Sequence, residues 1–240
     1  MPHTAGILYP GYSAEDDYPT LEGLLGDDVR LPLVHTLMRE DAHRVDALLD
    51  VGSEQVLADG ARALGEVDSV IWACTSGSFV FGWSGARDQV EKLQAVTGKP
   101  TSSTSFAFVH AAALLGLRRV AVAATYPADV AERFVEFLGA GDLEVVRLSS
   151  RGIITAAEVG TLGREEVLSF AAANDDDQAE ALLMPDTALH TAAWLEDIEQ
   201  RLGKPVLTAN QVSAWEALRL AGAATSREGL GTLFRTGTGR

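Results

Sequence analysis

Val70-Ile71-Trp72-Ala73-Cys74-Thr75-Ser76-Gly77-Ser78 is the stretch on which the fold turns. Residues 67–73 read as a strand, and the apolar pair Val70-Ile71 marks it as buried. Cys74 then stands where a parallel strand ends. Thr75 and Ser76 supply hydroxyls, and Gly77 lets backbone approach a ligand closely. A turn of this kind aims several N–H groups at an anion. A thiol beside a helix N-terminus is expected to have a lowered pKa and raised reactivity. The competing reading is a small buried hydrophobe, because free cysteine is often buried and inert.

Further strands are expected at 3–9, 29–35, 119–124, 143–148, 180–184 and 206–208. Helices are expected at 53–64, with Ser53 as N-cap, and at 89–96, 103–115, 128–138, 164–172, 192–202 and 212–220. Residues 12–17 read as a polar acidic loop, and 229–240 as a partly loose Gly- and Thr-rich tail. Strands alternate with helices, and several strands are continuous apolar runs. The fold class is therefore α/β, with parallel sheets covered on both faces.

With 240 residues, 47% of them apolar, the chain can bury a large core and is not of the disordered class. A net charge of -15 argues against nucleic acid, whose phosphates need a basic surface. It leaves small anionic substrates open, because local backbone dipoles can outweigh a distant acidic surface. A single cysteine cannot form an intramolecular disulfide. The opening residues lack a secretory pattern and no run is long enough to span a bilayer, so a cytoplasmic location is expected.

The two halves of the chain repeat their landmarks. The first carries Leu8-Tyr9-Pro10, Ala73-Cys74-Thr75, Gly98-Lys99-Pro100 and an apolar helix ending at Gly116. The second carries Thr125-Tyr126-Pro127, Pro185-Asp186-Thr187, Gly203-Lys204-Pro205 and a helix ending at Gly222. Four landmarks in one order argue for a duplicated unit, although any α/β chain reuses some turn chemistry. Ligands bind at the carboxyl ends of parallel strands, so facing units would place Cys74 and Asp186 on opposite sides of one cleft, flanked by Tyr9 and Tyr126.

These paired motifs resemble the aspartate/glutamate racemase superfamily. The Cys74 turn and the segment from Gly203 to Gly222 resemble its maleate cis-trans isomerase and arylmalonate decarboxylase branch, near the EutA proteins. The resemblance implies two flavodoxin-like lobes related by a pseudo-twofold: residues 1–100 plus 210–240, and residues 101–209. It implies a small carboxylate or dicarboxylate substrate, no metal and no cofactor; a homo-oligomer is left open. Cys74 falls on the family's first cysteine, and Thr75 and Ser76 on its carboxylate-binding turn. Tyr126 falls on the strand end whose hydroxyl helps hold a carboxylate. Asp186 stands where the second cysteine usually stands, with Thr187 as the neighbouring hydroxyl. The family's substrate-binding asparagine has no counterpart between Tyr9 and Asp17. The branch's decarboxylases keep the second cysteine and lose the first, so retention of Cys74 points to isomerisation. Decarboxylation or racemisation with Cys74 as proton carrier, and a carboxylate-binding protein, are the alternatives.

A thiol and a carboxylate across a dry pocket repel when both ionise, so they should titrate as a pair. Asp186 is equally suited to capping a helix, where it would stay ionised. His190, four residues on, would reach Asp186 along a helical face, as half of a metal site or as a charge partner. His110, in an apolar helix, reads as a satisfied core residue. His3, His35 and His43 form no visible constellation.

Overall fold

The apolar runs become two separate parallel sheets in a computed structural model that describes residues 2–236. The first sheet holds β1 (His3–Pro10), β2 (Val29–Arg30), β3 (Leu33–Thr36), β4 (Ser69–Trp72) and β5 (Thr101–Ser103). Its order is β2-β1-β4-β5, and β3 continues beside β1. The second holds β6 (Arg119–Ala124), β7 (Glu144–Ser150), β8 (Ala181–Met184) and β9 (Val206–Thr208), in the order β7-β6-β8-β9. Counted from the start of each unit, with β2 and β3 as one broken strand, both sheets read 2-1-3-4. This is a doubly wound order with its ligand end at the carboxyl edge. The first sheet runs to Ser103, past the expected boundary at residue 100.

The single strand expected at 29–35 is interrupted at Pro32. Proline has no N–H for the ladder, yet its carbonyl still accepts from Ile7 N at 2.9 Å. Ser53 occupies its N-cap position without a side-chain bond to the helix Glu54–Ala63. The helix expected from residue 89 begins earlier, as Gly82–Thr97. The Gly-Lys-Pro landmarks behave alike: Gly98 and Gly203 end their helices at φ +65° and +69°. That left-handed conformation is open to glycine at little cost.

The helices that follow these landmarks, Thr104–Leu114 and Ala209–Leu220, pack on each other. Thr104 Oγ1 and Ser213 Oγ lie 2.6 Å apart at their contact. Ala209–Leu220 reaches β4, where Ser69 Oγ donates to the Ala217 carbonyl at 2.8 Å. Thr104–Leu114 instead sets Phe106 and Phe108 against Phe137 and Phe134 of the helix Ala128–Ala140, at centroid distances of 5.3 and 5.5 Å.

The expected loose tail contains a helix, Gly231–Arg235. Leu230, Leu233 and Phe234 recur on one helical face and are fully buried. The buried Glu199 carboxylate accepts from Thr232 N at 2.9 Å and Arg235 Nη2 at 2.8 Å. Apolar anchors and a charge-assisted bond thus override a composition that reads as flexible. Residues 237–240 of that tail lie outside the described residues. No helix among the described residues is long and apolar enough to cross a membrane.

Candidate active site

β4 and β8 occupy the same position in their sheets, and the turns leaving them meet at one cavity. Cys74, Ser76, Asp186 and Thr187 line it, together with His43 and the apolar side chains Met38, Leu48 and Val51. The cavity measures about 30 Å³. A space of that size has room for ordered water.

On the β4 side the chain enters the short helix Ser76–Phe79 directly. Gly77 N–H donates to Cys74 Sγ at 3.2 Å, and Ser76 Oγ lies 3.8 Å from the same sulfur. Those contacts favour thiolate, as a helix start should, but the thiol is only 4% exposed. Burial outweighs them and pushes its pKa up to about 11. The expected acidic thiol is therefore a neutral one at pH 7. Gly77 also serves differently from expectation. A Cβ there would sit 3.0 Å from Cys74 Sγ and 3.1 Å from Trp72 Cζ2, so the glycine makes room for the thiol itself. Thr75 lies behind the lining, fully buried, and its Oγ1 has no hydrogen-bond partner among the described residues.

On the β8 side no helix begins at Asp186, so it caps none. Its Oδ1 accepts from Ala188 N at 3.0 Å, closing a local turn, and its Oδ2 accepts from the Thr125 hydroxyl. The two tyrosines stand behind the turn. Tyr126 Oη donates to the Pro185 carbonyl at 2.8 Å, and Tyr9 Oη donates to the Thr187 carbonyl at 2.9 Å. Burial raises both phenols above their ordinary pKa, so they remain neutral donors. Asn210 Nδ2 adds a bond to the Thr187 carbonyl at 3.1 Å and one to the buried Asp17 at 3.0 Å. Tyr9, Asn210 and Tyr126 thus hold the backbone of the Asp186 turn.

His190 does not approach Asp186. It turns outward to Asp16, 2.6 Å away, because residues after Asp186 form turns rather than a helix. His110 is partly exposed and bonds the buried Glu216 at 2.8 Å. The histidine beside Asp186 is His43, with Nε2 3.9 Å from Asp186 Oδ2 and the ring edge-on to Tyr126 at 4.9 Å. His43 is 5% exposed. Its Nδ1 lies 3.0 Å from the Ile153 carbonyl, which can only accept, so the proton sits on Nδ1 and Nε2 faces the cavity. No spacing in the sequence links residue 43 to either turn.

His43 also belongs to a bridge across the cleft. Its backbone N–H donates to the Ile154 carbonyl at 2.6 Å. The Asp41 carboxylate accepts from Ala156 N at 2.7 Å and Ala157 N at 3.0 Å. The loop after β3 is thereby tied to the segment after β7.

Two like-ordered parallel units meeting at their strand ends define a class of two-lobed α/β enzymes with the site between the lobes. The arylmalonate decarboxylase family model matches residues 35–234. The chain is 33% identical to arylmalonate decarboxylase of Bordetella bronchiseptica over 186 residues, 74% of this chain and 76% of the relative. It is 27% identical to maleate isomerase of Nocardia farcinica over 196 residues, 79% and 77% of the two chains. Its fold matches the crystal structure of the maleate isomerase Iso from Pseudomonas putida S16 with a TM-score of 0.87 and 22% identity, covering 98% of each chain. The chain belongs to the arylmalonate decarboxylase family, within the branch that also contains the maleate isomerases.

Proposed function

We propose that this chain converts a small carboxylic acid without metal or organic cofactor, and that the reaction is cis–trans isomerisation of an unsaturated dicarboxylate with Cys74 as nucleophile. The observation that carries the reading is the placement of the chain's single thiol, at the end of β4, in the cavity that Asp186 closes from β8. The thiolate pair attacks one alkene carbon, and the C=C pair moves toward the adjacent carboxylate as an enediolate. Rotation about the resulting single bond and loss of the thiolate give the trans acid. Ser76, which lines the cavity beside the sulfur, supplies a donor to the developing negative charge, and the Gly77 N–H steadies the sulfur itself. Asp186 and Thr187 face the other side of the substrate.

A second reading rests on a specific observation. Met38, Leu48 and Val51 form an apolar wall, and Cys74 is protonated at neutral pH. Both features suit decarboxylation of a malonate bearing an apolar group, with Cys74 donating the proton to the new carbanion. One experiment in D2O separates the two. Maleate and phenylmalonate are supplied to purified protein, and products are followed by proton NMR. Fumarate from maleate supports isomerisation. Deuterated phenylacetate from phenylmalonate, with maleate unchanged, replaces it with the second reading. Turnover of either compound that survives Cys74→Ala refutes both.

A further inference from the structure

We propose that His43 and Asp186 act as one proton-carrying pair, with His43 Nε2 the atom that takes the proton from Cys74 and returns it. The proposal rests on the reading of Cys74 as the attacking group. That reading leaves a gap: the resting thiol is protonated, and nothing bonded to its sulfur is a base. His43 fills the gap on geometry. It lines the same cavity as Cys74, and Asp186, which also lines it, lies 3.9 Å from His43 Nε2.

Asp186 alone is poorly placed for the task. Both of its oxygens already accept, one from Thr125 and one from Ala188. His43 has the opposite arrangement. Its Nδ1 proton is committed to the Ile153 carbonyl, and Nε2 is free to gain one within 3.9 Å of the Asp186 carboxylate. A proton arriving on Nε2 creates an imidazolium beside a carboxylate in a buried site, where the attraction is strong. The other groups around the ring do not compete. Tyr126 packs edge-on and is kept neutral by burial. On His43's own loop, Arg44 pairs with Glu40 and Asp46, each at 2.8 Å, and Asp41 is held by the amides of Ala156 and Ala157.

The step balances. The Cys74 S–H proton passes to His43 Nε2, and the freed electron pair on sulfur forms the C–S bond. After rotation the enediolate pair reforms C=C, the C–S bond breaks, and His43 returns the proton to sulfur. No oxidant, reductant or net proton is required. The pair stands where a second thiol would otherwise stand.

Two measurements test this. Nitrogen-15 NMR of the imidazole rings in the whole protein should show His43 as the Nδ1–H tautomer. Asp186→Asn should move the His43 ring resonances, since the variant replaces the carboxylate 3.9 Å from Nε2. With maleate as probe, His43→Asn should lower kcat by about 10²–10³-fold, the usual size of an acid–base contribution, with little change in KM. The variant keeps an amide N–H for the Ile153 carbonyl but has nothing at Nε2, so the limb of the pH–rate profile that rises with imidazole deprotonation should vanish. A wild-type rate and pH profile in His43→Asn, or His43 ring resonances unmoved by Asp186→Asn, overturns the proposal. Cys74→Ala separates the levels. If that variant still turns over maleate, the reading of Cys74 has failed. If it is dead while His43→Asn behaves as wild type, only the role of His43 has failed. Where His43→Asn does not fold, or maleate is not turned over, the tautomer and the response of the His43 ring resonances to Asp186→Asn decide.

Discussion

The turn after β4 and the turn after β8 occupy the same place in two sheets of the same order, yet they hold opposite chemistry. After β4 a thiol faces a helix start, with one backbone N–H at 3.2 Å, and burial keeps it neutral. After β8 a carboxylate sits in a turn with no helix behind it, and both of its oxygens accept donors. The two halves thus share strand order while the backbone and the chemistry at the two strand ends differ. Burial, bond partners and the nearby His43 make that difference, and none of them belongs to the repeated motif.

The comparison breaks first at Cys74. Cys74→Ser should lower kcat on the true substrate by about 10³-fold or more, because a hydroxyl is a far weaker nucleophile at neutral pH. An unimpaired variant would mean that the turn after β4 carries no chemistry. Asp186→Asn should cost roughly 10²-fold in rate, the scale of an acid–base contribution. Its melting temperature should fall only modestly beside that loss of rate, since an amide oxygen can replace one of the two acceptors that Thr125 and Ala188 now use. A loss in stability with an intact rate would make Asp186 a purely structural residue.

Alkaline unfolding sharpens the contrast next. The Cys74 pKa rises from an ordinary 9.0 to about 11 in the folded chain. A raised pKa contributes stability that is complete below the unfolded value and lost as pH rises through the folded one. Denaturant melts should therefore weaken from about pH 9, with up to about 3 kcal/mol of the loss by pH 11 due to Cys74, and Cys74→Ala should remove the part between pH 9 and 10, below the onset of the buried tyrosines Tyr9, Tyr18 and Tyr126. The smallest effects belong where the halves are alike. Gly98→Ala and Gly203→Ala each place a Cβ in open space at positive φ, and should each cost about 1 kcal/mol in chemical denaturation. Clearly unequal costs would show that the likeness is confined to strand order.

Where the halves are alike, the sequence was readable. Strand runs such as 119–124, the paired Gly-Lys-Pro stops and the placement of Cys74 and Asp186 at strand ends follow from local patterns of one or two turns. What escaped depends on distant neighbours. His43 sits between Ala42 and Arg44 with no periodicity to mark it, and its partners are Ile153 and Asp186 from the other half. The raised thiol pKa comes from burial, which no heptapeptide reports. The helix Gly231–Arg235 was hidden by its glycine and threonine, although Leu230, Leu233 and Phe234 already showed the spacing of an apolar face.

The bridge from residues 41–43 to residues 153–157 sets a clock on the site. The cavity is small, and the ties that Asp41 and His43 make to the other half lie at its edge. Arrival at Cys74 should therefore follow the parting of that bridge, which three amides report. The N–H groups of His43, Ala156 and Ala157 all donate across the gap, so they should exchange with deuterium together, at one shared opening rate. Alkylation of Cys74 should climb with reagent concentration and then level off at that same rate. A plateau matching the amide exchange would make the tempo of the site a property of one short loop rather than of the thiol it covers.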